Sequence, residues 1–338
     1  MERAPKKLEN VRQEEIVEQV KKILKERGSK PLEMARKAVL DEKIECKQVR
    51  EALEYFMIRY LHNAPQAALL SLACESVGGA PSLTIPIAVP MILLNSGVDI
   101  QDDIIDQSKS KDSRPTVYGK FGKDIALLVG DLLIMKGFML LYKTLEMLSP
   151  EKRVMIMGIL ENSFLELGDA EALELAFRGH FDVSPEEYLR VVQKRAANVE
   201  AHTRIGGIIG DGTKHEIEAL GGYGRALGVL FIIRDDFVDM FDFNEIRHRM
   251  IYESLPLPLL FAFQNSGVKR KSIKILQKKE VTSLEKNTFL KIVLESEEVE
   301  EVKGIIQEYA KKSQKNLKKL RKTLQLQLLV TSVVRGLE

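Results

Sequence analysis

The run Val98-Asp99-Ile100-Gln101-Asp102-Asp103-Ile104-Ile105-Asp106 sets carboxylates at the end of an otherwise apolar stretch, IPIAVPMILLNSG. At helical spacing Asp102 and Asp106 are four residues apart and share a face, where like charges repel. A hard cation turns that defect into a site. Mg²⁺ takes oxygen ligands, keeps several waters, and is typically held by one or two carboxylates plus substrate phosphates. The pattern returns in Leu230-Phe231-Ile232-Ile233-Arg234-Asp235-Asp236-Phe237-Val238-Asp239, again acids in an apolar run with the first and last four apart. One such cluster can be a surface accident, but two of the form D-D-x-x-D, facing each other, would make a multi-metal clamp.

The chain around these clusters reads as helical. Charged and apolar residues interleave at helical spacing over 9–28, where Gly28 is a stop signal, and over 33–60. Apolar helices follow from Ala67, with Gly78-Gly79 and Pro81 marking a turn, and then over 123–148, 153–177, 186–210, 214–243 and 256–264. Ser184-Pro185-Glu186-Glu187 is a helix start, with serine as cap and acids favoured by the helix dipole. Strand-like alternation is nowhere sustained. The expectation is an all-α, single-domain helical bundle over 1–338, with peripheral helices in 1–48 and amphipathic lysine-rich helices over 268–338.

Composition narrows the function classes. Fifty-one basic against 49 acidic residues leave a net charge of +2, and tryptophan is absent, so neither a basic nucleic-acid surface nor a stacking platform stands out. Cys46 and Cys74 read as two free thiols rather than a disulfide framework or metal site. No apolar run reaches the roughly 18 residues that would suggest a membrane span, and the first residues lack a signal-peptide core, so a cytoplasmic protein is expected.

The two acidic motifs and their surroundings, DDIID…SRPTVYGKFGKDIALLVGDLL and FIIRDDFVD, resemble the polyprenyl synthetase, or trans-isoprenyl diphosphate synthase, family over about residues 50–265. The resemblance implies the class I isoprenoid synthase bundle with a central apolar cavity and two or three Mg²⁺ ions. It implies that Asp102, Asp106 and Asp235 ligate metal, with Asp103, Asp236 and Asp239 supporting them. It also implies that Lys194 and Lys111 contact the allylic diphosphate. Arg195 stands where the family has threonine after that lysine, and Lys111 stands where it has arginine, keeping the charge but losing the bidentate fork. Small residues at Gly97 and Val98, before the first motif, suggest room for a product of about twenty carbons or longer.

The second diphosphate site of the chain-elongating members looks dismantled. Asn63 and Gln66 replace its lysine and arginine, Asn95 its histidine, and Asp112 its second arginine. His62, Arg59 and Arg114 are candidates for a rebuilt site. After the second motif, Arg247, His248 and Arg249 stand in place of the family's lysines and either cap the diphosphate or simply solubilise a loop. The expected function is Mg²⁺-dependent transfer of a prenyl group from an allylic prenyl diphosphate to isopentenyl diphosphate or another acceptor, by a homodimer or a heteromer with a related subunit. Alternatives are a terpene synthase acting on one allylic diphosphate, a non-elongating subunit, and a scaffold that binds a phosphorylated ligand without turnover.

Overall fold

The computed structural model describes residues 13–111 and 113–337; readings that fall on residues 1–12 or on Asp112 lie outside them. The first helix, α1 (Gln13–Leu40), does not stop at Gly28 but runs on through Pro31. A Cβ on Gly28 would meet the Ala64 carbonyl oxygen at 2.8 Å, so this glycine permits a close approach and is no terminator. The expected helix 33–60 is interrupted after Leu40. It resumes as α2 (Lys47–Glu54), which widens into a π-helical turn at Tyr55–Tyr60.

Next come α3 (Pro65–Ser76) and α4 (Ile85–Ile105), then a two-residue hairpin of β1 (Ser110–Lys111) and β2 (Arg114–Pro115). After it come α5 (Val117–Phe121), α6 (Lys123–Glu146) and α7 (Pro150–Leu175). The expected helix 186–210 is two helices, α8 (Pro185–Arg195) and α9 (Ala197–Ile209), and α10 (Lys214–Asp239) carries the second motif. The rest is α11 (Phe243–Tyr252), α12 (Leu257–Ala262), α13 (Ser266–Leu276), α14 (Ser283–Leu294), α15 (Glu300–Leu317) and α16 (Leu324–Arg335). The serine cap is present as read: Ser184 Oγ accepts from the Glu187 amide at 3.2 Å, and the Glu187 carboxylate accepts from the Ser184 amide at 2.9 Å.

The chain divides into two compact units, one of Met1–Ile159, His202–Glu218 and Leu320–Leu326, the other of Leu160–Ala201, Ala219–Lys319 and Gln327–Glu338. In the first unit α4 lies directly on α6. A Cβ on Gly97 would meet Ile134 Cγ1 at 2.5 Å and the Gly130 carbonyl oxygen at 2.6 Å, so the two helices pack backbone to backbone. The smallness of Gly97 therefore has a packing cause. The second unit is built around buried Tyr188, Tyr223, Leu227, Leu230, Phe289 and Val302.

The expected lack of an apolar run of span length does not hold: the segment Pro81–Ile105 and helix α6 are each long and apolar enough, by length and composition, to cross a membrane. Two-thirds of the first segment's apolar window is buried in the protein, but only 33% of that of α6.

Candidate functional site

Both acidic motifs sit in the last turn of their helices. α4 ends at Ile105 with Asp106 as its cap residue, α10 ends at Asp239, and neither carries a basic residue in its final turn. Unpaired carbonyls make a helix C-terminus partially negative, so each carboxylate there is disfavoured by about 0.3–1 kcal/mol, before its repulsion from neighbouring acids. Cations must offset both terms.

In the first unit, the hairpin supplies one. Lys111 and Arg114 face each other across the two-stranded ladder, a like-charge pairing that needs anions nearby. Lys111 Nζ lies 2.8 Å from Asp103 Oδ1 and 3.4 Å from Asp102 Oδ2. Burial works against the Lys111 charge, but these carboxylates outweigh it and the ammonium is held more firmly protonated than usual. Asp103 is buried, and burial raises its carboxyl above the ordinary range despite Lys111. Arg114 lies over the Tyr60 ring, 5.6 Å from its centroid. Burial and the Asp103 charge push the Tyr60 hydroxyl up to about 12.

Asp102 and Asp106 present carboxylate oxygens within 4.8 Å of each other, a hard-donor pair suited to Mg²⁺. Asp99 lies one turn earlier on α4. Its side chain reaches solvent, yet protein crowds its carboxyl, and that crowding together with the Asp102 charge pushes it up to about 7. A further residue that sequence reasoning missed is His202 of α9, buried with Nε2 3.2 Å from the Asn95 amide nitrogen. An imidazole is thus present beside position 95, supplied from another helix; nothing in the sequence signalled it.

In the second unit, Arg249 lies against the motif instead of reaching outward. Its Nη1 donates to Asp236 Oδ1 at 2.8 Å and to Asp239 Oδ2 at 2.7 Å, Nη2 to the Tyr188 hydroxyl at 3.0 Å, and Nε to the Ser254 carbonyl at 3.0 Å. Arg249, Asp236 and Tyr188 are all buried. Arg249 therefore braces the acidic motif, where the sequence reading had it cap a diphosphate or solubilise a loop. Arg247 is half-buried on the same helix and forms no ion pair among the described residues. Asp235 is open, with 68% of its side chain exposed, and its nearest cation is Arg234 at 3.5 Å. Crowding by protein, offset by Arg234, pushes its carboxyl up to about 6.

Lys194 pairs with Asp169 at 2.7 Å, a contact its helical spacing did not announce. Arg195, at the threonine position, binds Glu171 at 2.9 Å and buried Glu174 at 2.6 Å. Val98 is half-buried beside fully packed Gly97.

Helical bundles of this kind recur among isoprenoid synthases. The geranylgeranyl pyrophosphate synthetase of Pyrococcus horikoshii superposes with a TM-score of 0.80 at 24% identity, covering 95% of this chain and 99% of that one. The Polyprenyl synthetase family profile matches residues 44–293. A geranylgeranyl diphosphate synthase of Methanosarcina mazei is 30% identical over 305 residues, 86% of this chain and 92% of its own length. A short chain isoprenyl diphosphate synthase of Methanothermobacter thermautotrophicus is 33% identical over 177 residues, so that the match spans about half of each chain (52% and 53%). The chain belongs to the polyprenyl synthetase family, whose relatives named here are prenyl-transferring enzymes.

Proposed function

We propose that this chain is a Mg²⁺-dependent prenyltransferase that ionises an allylic prenyl diphosphate and passes the prenyl group to isopentenyl diphosphate or another acceptor. The observation that carries the reading is the placement of both D-D-x-x-D motifs in helix C-terminal turns without a basic residue in either turn. That arrangement is doubly unfavourable, Lys111 and Arg249 offset it in part, and bound metal would offset it further. Asp102, Asp106 and Asp235 would hold two or three Mg²⁺ ions. Bound metal supplies electrophilic stabilisation of the departing diphosphate.

The chain's own residues do the rest. Lys111, fixed by Asp103 and Asp102, presents an ammonium to a diphosphate oxygen, and half-buried Arg247 offers a second cation. Lys194, held by Asp169, would complete the anion contacts. The apolar side chains of α4 before the motif, which are largely buried, would help to exclude water from a carbocation that water would quench. With Asn63, Gln66 and Asn95 in place of charged residues, the acceptor relies on neutral hydrogen bonding and on the neighbouring His202.

A second copy of the chain is the proposed partner. Leu128, Leu132, Met135, Met139 and Tyr142 form an exposed apolar stripe along α6, stepping by alternating fours and threes as a helix–helix seam requires.

Asp102→Asn and Asp235→Asn test the reading. Each is expected to lower Mg²⁺-dependent diphosphate release at least about 100-fold with the fold retained. Wild-type protein that binds an allylic diphosphate but releases none under any acceptor condition would favour the scaffold instead.

A further inference from the structure

Asp236 accepts three hydrogen bonds from the surrounding fold. Oδ1 accepts from the Tyr188 hydroxyl at 3.0 Å and from Arg249 Nη1 at 2.8 Å, and Oδ2 accepts from the Leu257 amide at 3.1 Å. The same Nη1 reaches Asp239 Oδ2 at 2.7 Å, so one guanidinium nitrogen spans the second and third acids of the motif. Arg249 is itself fixed from behind by the Ser254 carbonyl, and the Ser254 hydroxyl donates to Glu174 at 2.5 Å. Asp235 stands apart from this network: it is mostly exposed, and among the described residues its one ion pair is the 3.5 Å contact with Arg234.

We propose that Arg249 is a resident cation of the second acidic motif: it binds Asp236 and one oxygen of Asp239 where a metal ion would otherwise compete, and leaves Asp235 as that motif's most exposed carboxylate. The proposal rests on the metal-binding reading above. A carboxylate that already accepts three hydrogen bonds from buried donors must give some of them up before it can ligate a metal, and leaving such donors unsatisfied is costly. A guanidinium is always protonated, so the charge it supplies does not depend on metal concentration. The first motif is built differently, because the cation beside it, Lys111, is a half-exposed point charge on a hairpin. The two motifs are therefore unequal in metal demand, and Arg249 is a positioning residue that sets the difference.

The test counts Mn²⁺ bound to the full chain by electron paramagnetic resonance, with inorganic diphosphate as the anion. Wild-type protein, Arg249→Met and Arg249→Lys are compared, each checked for its helical circular dichroism. Freeing Asp236 and Asp239 is expected to tighten Mn²⁺ binding about tenfold or to add a bound ion in Arg249→Met. Arg249→Lys, whose ammonium cannot span both acids, is expected to show a smaller gain in the same direction. A merely structural arginine predicts the opposite, because its loss would loosen the site. If Arg249→Met does not fold, Arg249→Lys decides. Mn²⁺ binding in the folded variants equal to or weaker than in wild type overturns the proposal while the metal reading survives. Wild-type protein that binds no Mn²⁺ overturns both.

Discussion

The Lys111 ammonium lies 2.8 Å from the Asp103 carboxylate, so the first acidic motif, like the second with Arg249, has a protein cation beside it. Asp103 is buried, while 45% of the Lys111 side chain is exposed. Removing the lysine leaves a buried carboxylate without its partner, and the half-exposed setting reduces the penalty to about 1–3 kcal/mol. Lys111→Met is expected to melt several degrees below wild type in chelator, with part of the loss recovered in Mg²⁺ plus inorganic diphosphate. A melting curve that does not change in chelator would remove the pair from this account.

Asp99 gives a pH dependence of definite sign. Its carboxyl, crowded by protein and repelled by Asp102 and Asp103, with Lys111 pulling the other way, is pushed up to about 7. In the unfolded chain it titrates near 3.9. Between those values the folded state holds the extra proton, so Asp99 lowers stability as pH rises through the window, and its penalty is complete above about 7. Asp99→Asn is expected to match wild type near pH 4 and to melt about 2 °C higher near pH 8 in chelator, a modest gain because the side chain reaches solvent.

Gly97 and Val98 separate packing from product length. A methyl at position 97 meets Ile134 and the Gly130 carbonyl at 2.5 and 2.6 Å. Gly97→Ala is therefore expected to destabilise the protein by about 1–3 kcal/mol through overpacking, leaving product length unchanged. Val98 is only half-buried, and Val98→Phe is expected to shorten the product. Calorimetry and chromatography of products check the two outcomes.

The apolar stripe on α6 predicts a dimer. Met135 and Met139 are both exposed, one helical turn apart. The double variant Met135→Glu/Met139→Glu places charges on the seam and is expected to run as a monomer in light scattering, with wild type at twice its mass.

Much of this was legible because it is local. Helical periodicity, the Ser184 capping box and the two acidic helix ends are written within a few residues of sequence. Gly28 misled, because its role is to admit the Ala64 carbonyl from a segment remote in sequence. The partners of Arg249 were also hidden. Asp236 precedes it by 13 residues and Tyr188 by 61, and no periodicity reports a contact of that span. The same holds for Lys194 and Asp169, and for Asn95 and His202. A charged residue near a motif declares its sign, but whether it faces a ligand or the motif itself is decided by tertiary packing.

The most direct test is incubation of the purified protein with Mg²⁺ and geranyl, farnesyl or geranylgeranyl diphosphate, each with and without isopentenyl diphosphate, followed by analysis of all products and released diphosphate. The account predicts longer prenyl diphosphates that form only when both isopentenyl diphosphate and Mg²⁺ are present. Diphosphate released with hydrocarbons or alcohols in the absence of isopentenyl diphosphate would contradict transfer and assign the chain a cyclase or hydrolytic role.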